Sequence, residues 1–256
     1  MLDAAWRRAL IATSLLGAAG CGEGPGPCEG GSVELPFSRV AVELPDSSSS
    51  TKGNGDPVGF DFESGSLAGL TSIETADAEH LGLVERGEVG NTRALFVAVT
   101  CDQPLVNGGM RSEITFDNQD PEGSTRWYAW SFFIPEDFQL PADYGTDSLP
   151  WMVVGQWHDQ PDVAKGETWD TFESRSPPVS FGFGALDGQF GMTLVYGDAD
   201  GEVESSSPFF FELATWHRLV TRIHWSRGND GEAESFLDGQ SVATMTGPNM
   251  NNAAPH

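Results

Sequence analysis

The sequence predicts an all-β protein, a sandwich of two stacked antiparallel sheets of jelly-roll type. Three observations carry that expectation. Aromatic residues fall in runs that alternate with a period of two, as in TRWYAWSFFIP (125–135) and ATWHRLVTRIHWS (214–226), and alternate side chains of a strand point to opposite faces. Asp187-Gly188 and Asp238-Gly239 each stand between two such runs, and Asp-Gly suits a type I′ hairpin, in which both central residues take positive φ. No amphipathic helical pattern exceeds a few turns, while 31 Gly, 16 Phe and 8 Trp fit Gly-rich turns joined by aromatic strands.

The N-terminus does not belong to that fold. Residues 1–21, MLDAAWRRALIATSLLGAAGC, carry Arg7 and Arg8, an apolar run from Ala9 to Ala19, and a small-residue site before Cys21. This is the layout of a secretory signal. AAG before Cys21 resembles a bacterial lipobox, with Ala18 where a larger aliphatic residue is usual, so Cys21 is expected to be lipidated. An ordinary secretory peptide cut later is the competing reading. The apolar run is too short for a confident membrane span; the chain is expected to be exported and to meet a membrane only through its lipid anchor. Residues 22–57, with GEGPGPCEGG and PDSSSSTKGNGDP, are too rich in Gly, Pro and Ser to bury a core and read as a flexible linker. Cys28 and Cys101 form a disulfide or remain two thiols; export permits either.

Residues 58–256 read as the folded domain. GFDFESG opens it with Phe60 and Phe62 alternating, and TRALFVAVT (92–100) is a β-rich run. In GGMRSEITF (108–116), Met110, Ser112, Ile114 and Phe116 share one face, Arg111, Glu113 and Thr115 the other. PPVSFGFGAL and QFGMTLVYG flank the first Asp-Gly, and EAESFLDGQSVATMTG contains the second. In LPWMVVGQWHDQPD (149–162), an extended run places Met152, Val154, Gln156 and His158 on one face, and Trp151, Val153, Gly155 and Trp157 on the other.

With 38 acidic against 13 basic residues, the formal charge is −25, which excludes non-specific nucleic-acid binding. Solvated faces of such a chain should be acidic. Arg111 with Glu113, Gln156 with His158, and Arg218, Arg222 and His224 opposite Leu219, Thr221, Ile223 and Trp225 are different chemistry. A curved sheet presenting them forms a groove for a sugar carboxylate.

GGMRSEI, RWYAWSFFIPEDF, GQWH, PPVSF and WHRLVTRIHWS…FLDGQ occur in an order that resembles the polysaccharide lyases of heparin lyase I and glucuronan lyase type, over most of residues 58–250. The R-S-E and Q-x-H pairs are also similar to the alginate lyase jelly-roll family. The resemblance implies a concanavalin A-like jelly roll with a concave groove, and β-elimination on an acidic, uronate-containing polysaccharide. It assigns Arg111 and Gln156 to neutralising the uronate carboxylate, His158 to removing the C5 proton, and Glu113 to orienting Arg111; Arg222, His224 and Tyr128 join Glu113 in lining the substrate. That chemistry needs these groups. The C5 proton leaves only if the developing enolate charge is stabilised, Arg offers a planar fork to a carboxylate, and a neutral His accepts a proton near pH 7. The family also has a C-terminal strand resembling Y-F-K-x-G-x-Y that supplies a Lys and the proton-donating Tyr. GPNMNNAAPH (247–256) precedes any such strand, and Tyr128, Tyr144 and Tyr196 do not match it, so a truncated lyase with little activity is expected.

Two other functions compete. A glycoside hydrolase needs two carboxylates across the scissile bond, and the acidic clusters GDADGEVE and NDGEAE sit in turns. A non-catalytic carbohydrate-binding sandwich needs only the aromatic and basic surface. The resemblance also implies calcium near the groove; DADGE and GNDGE offer hard oxygen ligands but equally read as Asp/Gly turns, and the metal ligands are not placed.

Overall fold

The computed structural model describes residues 62–67, 70, 72–88, 91–100, 103–116, 120–138, 152–168, 170–172, 177–197 and 202–252, together with a short strand at 39–40. In chain order the strands are β1 (Arg39–Val40), β2 (Ser72–Thr75), β3 (Leu81–Glu88), β4 (Asn91–Val97), β5 (Ser112–Thr115), β6 (Thr125–Phe133), β7 (Met152–Trp157), β8 (Val179–Leu186), β9 (Gln189–Gly197), β10 (Val203–Ser205), β11 (Phe209–Phe210), β12 (Trp216–His224), β13 (Glu232–Leu237) and β14 (Gln240–Thr246). A 3-10 turn at Val163–Lys165 follows β7, capped by the Asp162 side chain, which accepts from the Ala164 N–H. The expected all-β antiparallel architecture is what the chain adopts.

The main body is two sheets. One runs β10-β9-β8-β7, with β11 also on β9; the other runs β14-β13-β12-β6. Both Asp-Gly hairpins form as the sequence predicts: Asp187 and Gly188 take φ of 52° and 78° between β8 and β9, and Asp238 and Gly239 take 51° and 84° between β13 and β14. Type I′ geometry there matches the right-handed twist of the strands it joins. The period-two pattern then sorts the side chains. Val179, Phe181 and Phe183 of β8 face Trp130 of β6 and Leu219 and Ile223 of β12 in one apolar layer. Edge-to-face contacts such as Trp130–Phe181, 5.4 Å between centroids at 77°, hold the layer together, and add to the apolar area it removes from water.

A smaller unit precedes it. β1-β3-β4 form one ladder and β2-β5 another. Ile114 of β5 packs with Phe62, Leu67, Leu70, Leu81 and Leu83 in a second apolar cluster. Phe62 opens this unit in a turn with φ of 56°, not in the alternating strand the sequence suggests.

Two further points bear on the expectations. Within 22–57, the stretch read as a linker, Arg39 and Val40 pair with Val84 and Leu83 of β3. The short β-prone stretch SRVAVEL (38–44) is hidden by averaging over its Gly/Pro/Ser-rich flanks. The rest of the signal and linker, with Cys21, Cys28 and Cys101, lies outside the described residues. The second point is in β7. Its ladder to β8 pairs Met152 with Phe183 and Val153 with Gly182, then skips to Gly155 with Phe181, Gln156 with Ser180 and Trp157 with Val179. The bulge at Val154 inserts one residue and resets the alternation. Met152 and Val154 therefore lie in the core, not beside Gln156, and Val153 takes the Gln156 face instead.

Candidate active site

The outward face of the five-stranded sheet is built from small residues. Ser180, Gly182 and Gly184 of β8 pair with Val195, Thr193 and Gly191 of β9, and none of them faces the apolar layer. Glycine at 191 is required: an added Cβ would stand 2.8 Å from the Phe209 carbonyl oxygen and 2.9 Å from the Phe210 ring. Gln156 enters this face at the edge strand, opposite Ser180. Its carbonyl oxygen and the Ser180 hydroxyl are both buried, and neither has a hydrogen-bond partner among the described residues. A buried polar group left unpaired costs about 1–3 kcal/mol, so the two mark a place where polar groups await something else.

His158 follows immediately. Its side chain is 42% exposed, and Nδ1 lies 2.8 Å from the Asp159 carbonyl oxygen and 3.7 Å from Asp159 Oδ1. A carbonyl accepts only from an N–H, so Nδ1 carries the proton of the neutral ring and Nε2 carries the lone pair. The fully buried Asp159 thus fixes the tautomer a base requires. Trp157, between Gln156 and His158, turns inward against Tyr128, 4.8 Å between centroids at 64°. Sequence reasoning overlooked Asp159, which stands next to the histidine, and Ser180, whose proximity to Gln156 exists only through the strand register.

Arg111 stands in other surroundings. It precedes β5, and its Nη1 donates to Glu74 Oε2 at 2.9 Å and to Glu113 Oε1 at 3.3 Å. Glu113 thus contacts Arg111 as expected, but Glu74, across the β2–β5 ladder from Glu113, is a second carboxylate on the same guanidinium. Among the described residues β5 ladders only to β2 and β7 only to β8. Arg111 and Gln156 are not neighbours on one ladder, and no hydrogen bond joins them.

Three expected substrate residues lie elsewhere. Tyr128 shares the inward face of β6, paired with Thr221. Its hydroxyl donates to Asp120 Oδ2 at 2.5 Å and accepts from Trp225 Nε1 at 2.9 Å. Burial first, then the Asp120 charge, pushes its pKa far up; the side chain packs in the inter-sheet layer and does not line the Gln156 face. Arg222 and His224 lie on the outward face of the four-stranded sheet. Arg222 pairs with Glu232 and Glu234, and His224 Nδ1 lies 2.9 Å from Thr125 Oγ1. In a sandwich each sheet turns one face inward, so outward residues of different sheets point away from each other. These two cannot share a groove with Gln156. Tyr196 is also inward, with its hydroxyl bonded to Asn249 and the Met245 carbonyl; burial pushes its pKa up to about 12.

No cluster of three or more potential metal ligands occurs among the described residues. Asp198–Gly201 of the first acidic loop lies outside them. In the second, Asp230 accepts from Ser226 Oγ and Glu232 is held by Arg222.

Comparison with known proteins agrees with this architecture. No curated protein sequence matches the chain. Among solved structures it is similar to an endo-β-1,4-glucuronan lyase from the fungus Trichoderma reesei, with a TM-score of 0.50 and 18% identity over 73% of this chain and 74% of that one. At that identity the likeness speaks for the fold. The family model described as polysaccharide lyase matches residues 62–256, which takes in β2 to β14 and the Gln156–His158 edge, and the chain therefore belongs to the polysaccharide lyase family.

Proposed function

We propose that the chain cleaves a uronate-containing polysaccharide by β-elimination, with His158 as the base and Gln156 as the carboxylate partner. The observation that carries this reading is the meeting, at one strand edge, of an oriented imidazole and an amide whose buried carbonyl oxygen has no partner among the described residues. With Nδ1 held by the Asp159 carbonyl, Nε2 of His158 accepts the C5 proton. The electron pair left at C5 spreads onto the uronate carboxylate, where the Gln156 amide N–H donates to the developing charge. The C4–O bond then breaks, a C4–C5 double bond forms, and the departing oxygen takes a proton. Tyr128 and Tyr196 face the inter-sheet layer, so of the chain's tyrosines only Tyr144, outside the described residues, is a candidate to donate it.

Glucuronan, alginate and heparin are the polymers to test, glucuronan first because the similar fungal protein is a glucuronan lyase. The sequence does not contain the family's Lys/Tyr motif; if Tyr144 takes over as donor, absorbance of the unsaturated uronate end should nonetheless rise with the purified chain and fail to rise with His158→Ala. New reducing ends without that absorbance would point to hydrolysis and overturn the reading; binding with neither would leave a carbohydrate-binding sandwich. Tyr144→Phe tests the donor: unchanged turnover excludes it. We also propose export as a lipoprotein through Cys21; incorporation of labelled fatty acid in a bacterial host should disappear in Cys21→Ser.

A further inference from the structure

The face of the sandwich opposite Gln156 carries a second set of groups that the reaction does not use. Trp127 of β6 is 50% exposed, unusual for a residue in the interior of a laddered strand. Its indole stacks on Phe236 of β13 at 6.2 Å and 29°, so the two rings form a shallow platform leaning over β12. The cross-strand row behind Trp127 is Arg222 and then Glu234. Arg222 is fixed between Glu232 and Glu234, and Ser241 Oγ donates to Glu234 at 3.2 Å. The hydrogen-bonding groups beside the rings are thus held in place before any ligand arrives. A second aromatic pair, Phe133 with Trp216 at 5.5 Å, lies on the same outward face. Trp127 and Phe133 are six positions apart on β6, roughly 20 Å at ~3.4 Å per residue.

We propose that this outward face of the four-stranded sheet is a non-catalytic binding surface for an extended acidic polysaccharide. Flat rings beside fixed charged donors and acceptors suit a pyranose, which is apolar on its ring faces and ringed with hydroxyls. Two platforms spaced along one strand suit a linear polymer better than a compact ligand. Charge agrees: the chain carries −25, yet on this face Arg218 and Arg222 offset Glu232 and Glu234, so a polyanion is repelled less here than by the chain as a whole. That the polymer is acidic rests on the reading of the active site; that the surface binds sugar does not.

The test is affinity electrophoresis through gels holding glucuronan or a neutral β-glucan, with the full chain carrying His158→Ala so that nothing is cleaved. Adding Trp127→Ala should weaken retardation by glucuronan on the order of tenfold, the effect of losing about 1.4 kcal/mol of contact. In the active chain, the same change should leave turnover of short oligosaccharides intact while slowing attack on the long polymer. Phe236→Leu, which keeps an apolar side chain there, should reproduce the effect in smaller measure if Trp127→Ala folds poorly. Retardation equal with and without Trp127 and Phe236 overturns the proposal. Trp127-dependent retardation by a chain that releases no unsaturated uronate sinks the β-elimination reading and leaves this surface standing. Trp127-dependent retardation only in the neutral gel refutes an acidic polymer.

Discussion

The guanidinium of Arg111 lies between two carboxylates, whereas the buried amide oxygen of Gln156 has no hydrogen-bond partner among the described residues. Both groups neutralise carboxylates well, yet only one is still available for the task. Glu74 and Glu113 already hold the Arg111 charge, and Glu74 also accepts from Asn107 at 2.8 Å. A uronate approaching Arg111 must compete with two glutamates; one approaching Gln156 competes with none that the structure describes. The lesson concerns what a polar residue does at rest. At Arg111 the paired charge ties two strands together; at Gln156 no described partner ties down the amide oxygen.

The largest expected effect lies on the unsatisfied side. His158→Ala should lower turnover by about two to four orders of magnitude, with the melting temperature barely moved, since the ring is half exposed. Gln156→Ala should cost about 10²–10³ in kcat and also raise KM, because the uronate charge is present before the transition state. Its melting temperature should hold or rise, since the change removes an unpaired buried oxygen. Arg111→Ala should do the reverse. It leaves Glu74 and Glu113 facing each other across the ladder, and a chemical melt should show about 1–3 kcal/mol of lost stability. A variant that keeps full stability but loses kcat as Gln156→Ala does would break the comparison and return Arg111 to the catalytic group.

The smallest effect is one of pH. Burial works to raise the Asp238 pKa, but hydrogen bonds from His217 at 2.7 Å and the Arg218 N–H at 2.8 Å outweigh it and lower the pKa below the usual carboxylate range. A folded-state pKa below the unfolded one gives stability that is present above the unfolded value, about 3.9, and lost as pH falls through the folded value. Melting temperature against pH should therefore drop below about pH 4, and less steeply in Asp238→Asn. An equal drop in both would mean that this turn does not take part in acid unfolding.

The sequence by itself determined the all-β class, both Asp-Gly hairpins and the alternation in β6, β8, β9 and β12, because turn chemistry and a period of two are local properties. It also made His158, Gln156 and Arg111 stand out, because their residue types are wrong for a solvated face of an acidic chain. Tertiary structure decided the rest. The bulge at Val154 moved Met152 and Val154 into the core, and a one-residue insertion leaves no mark in a hydrophobic pattern. The stacking of the sheets sent Arg222 and His224 to the face away from Gln156, and turned Tyr128 inward toward Asp120 and Trp225. Period two tells which residues share a face of one strand; only the packing of one sheet on another tells which way that face looks.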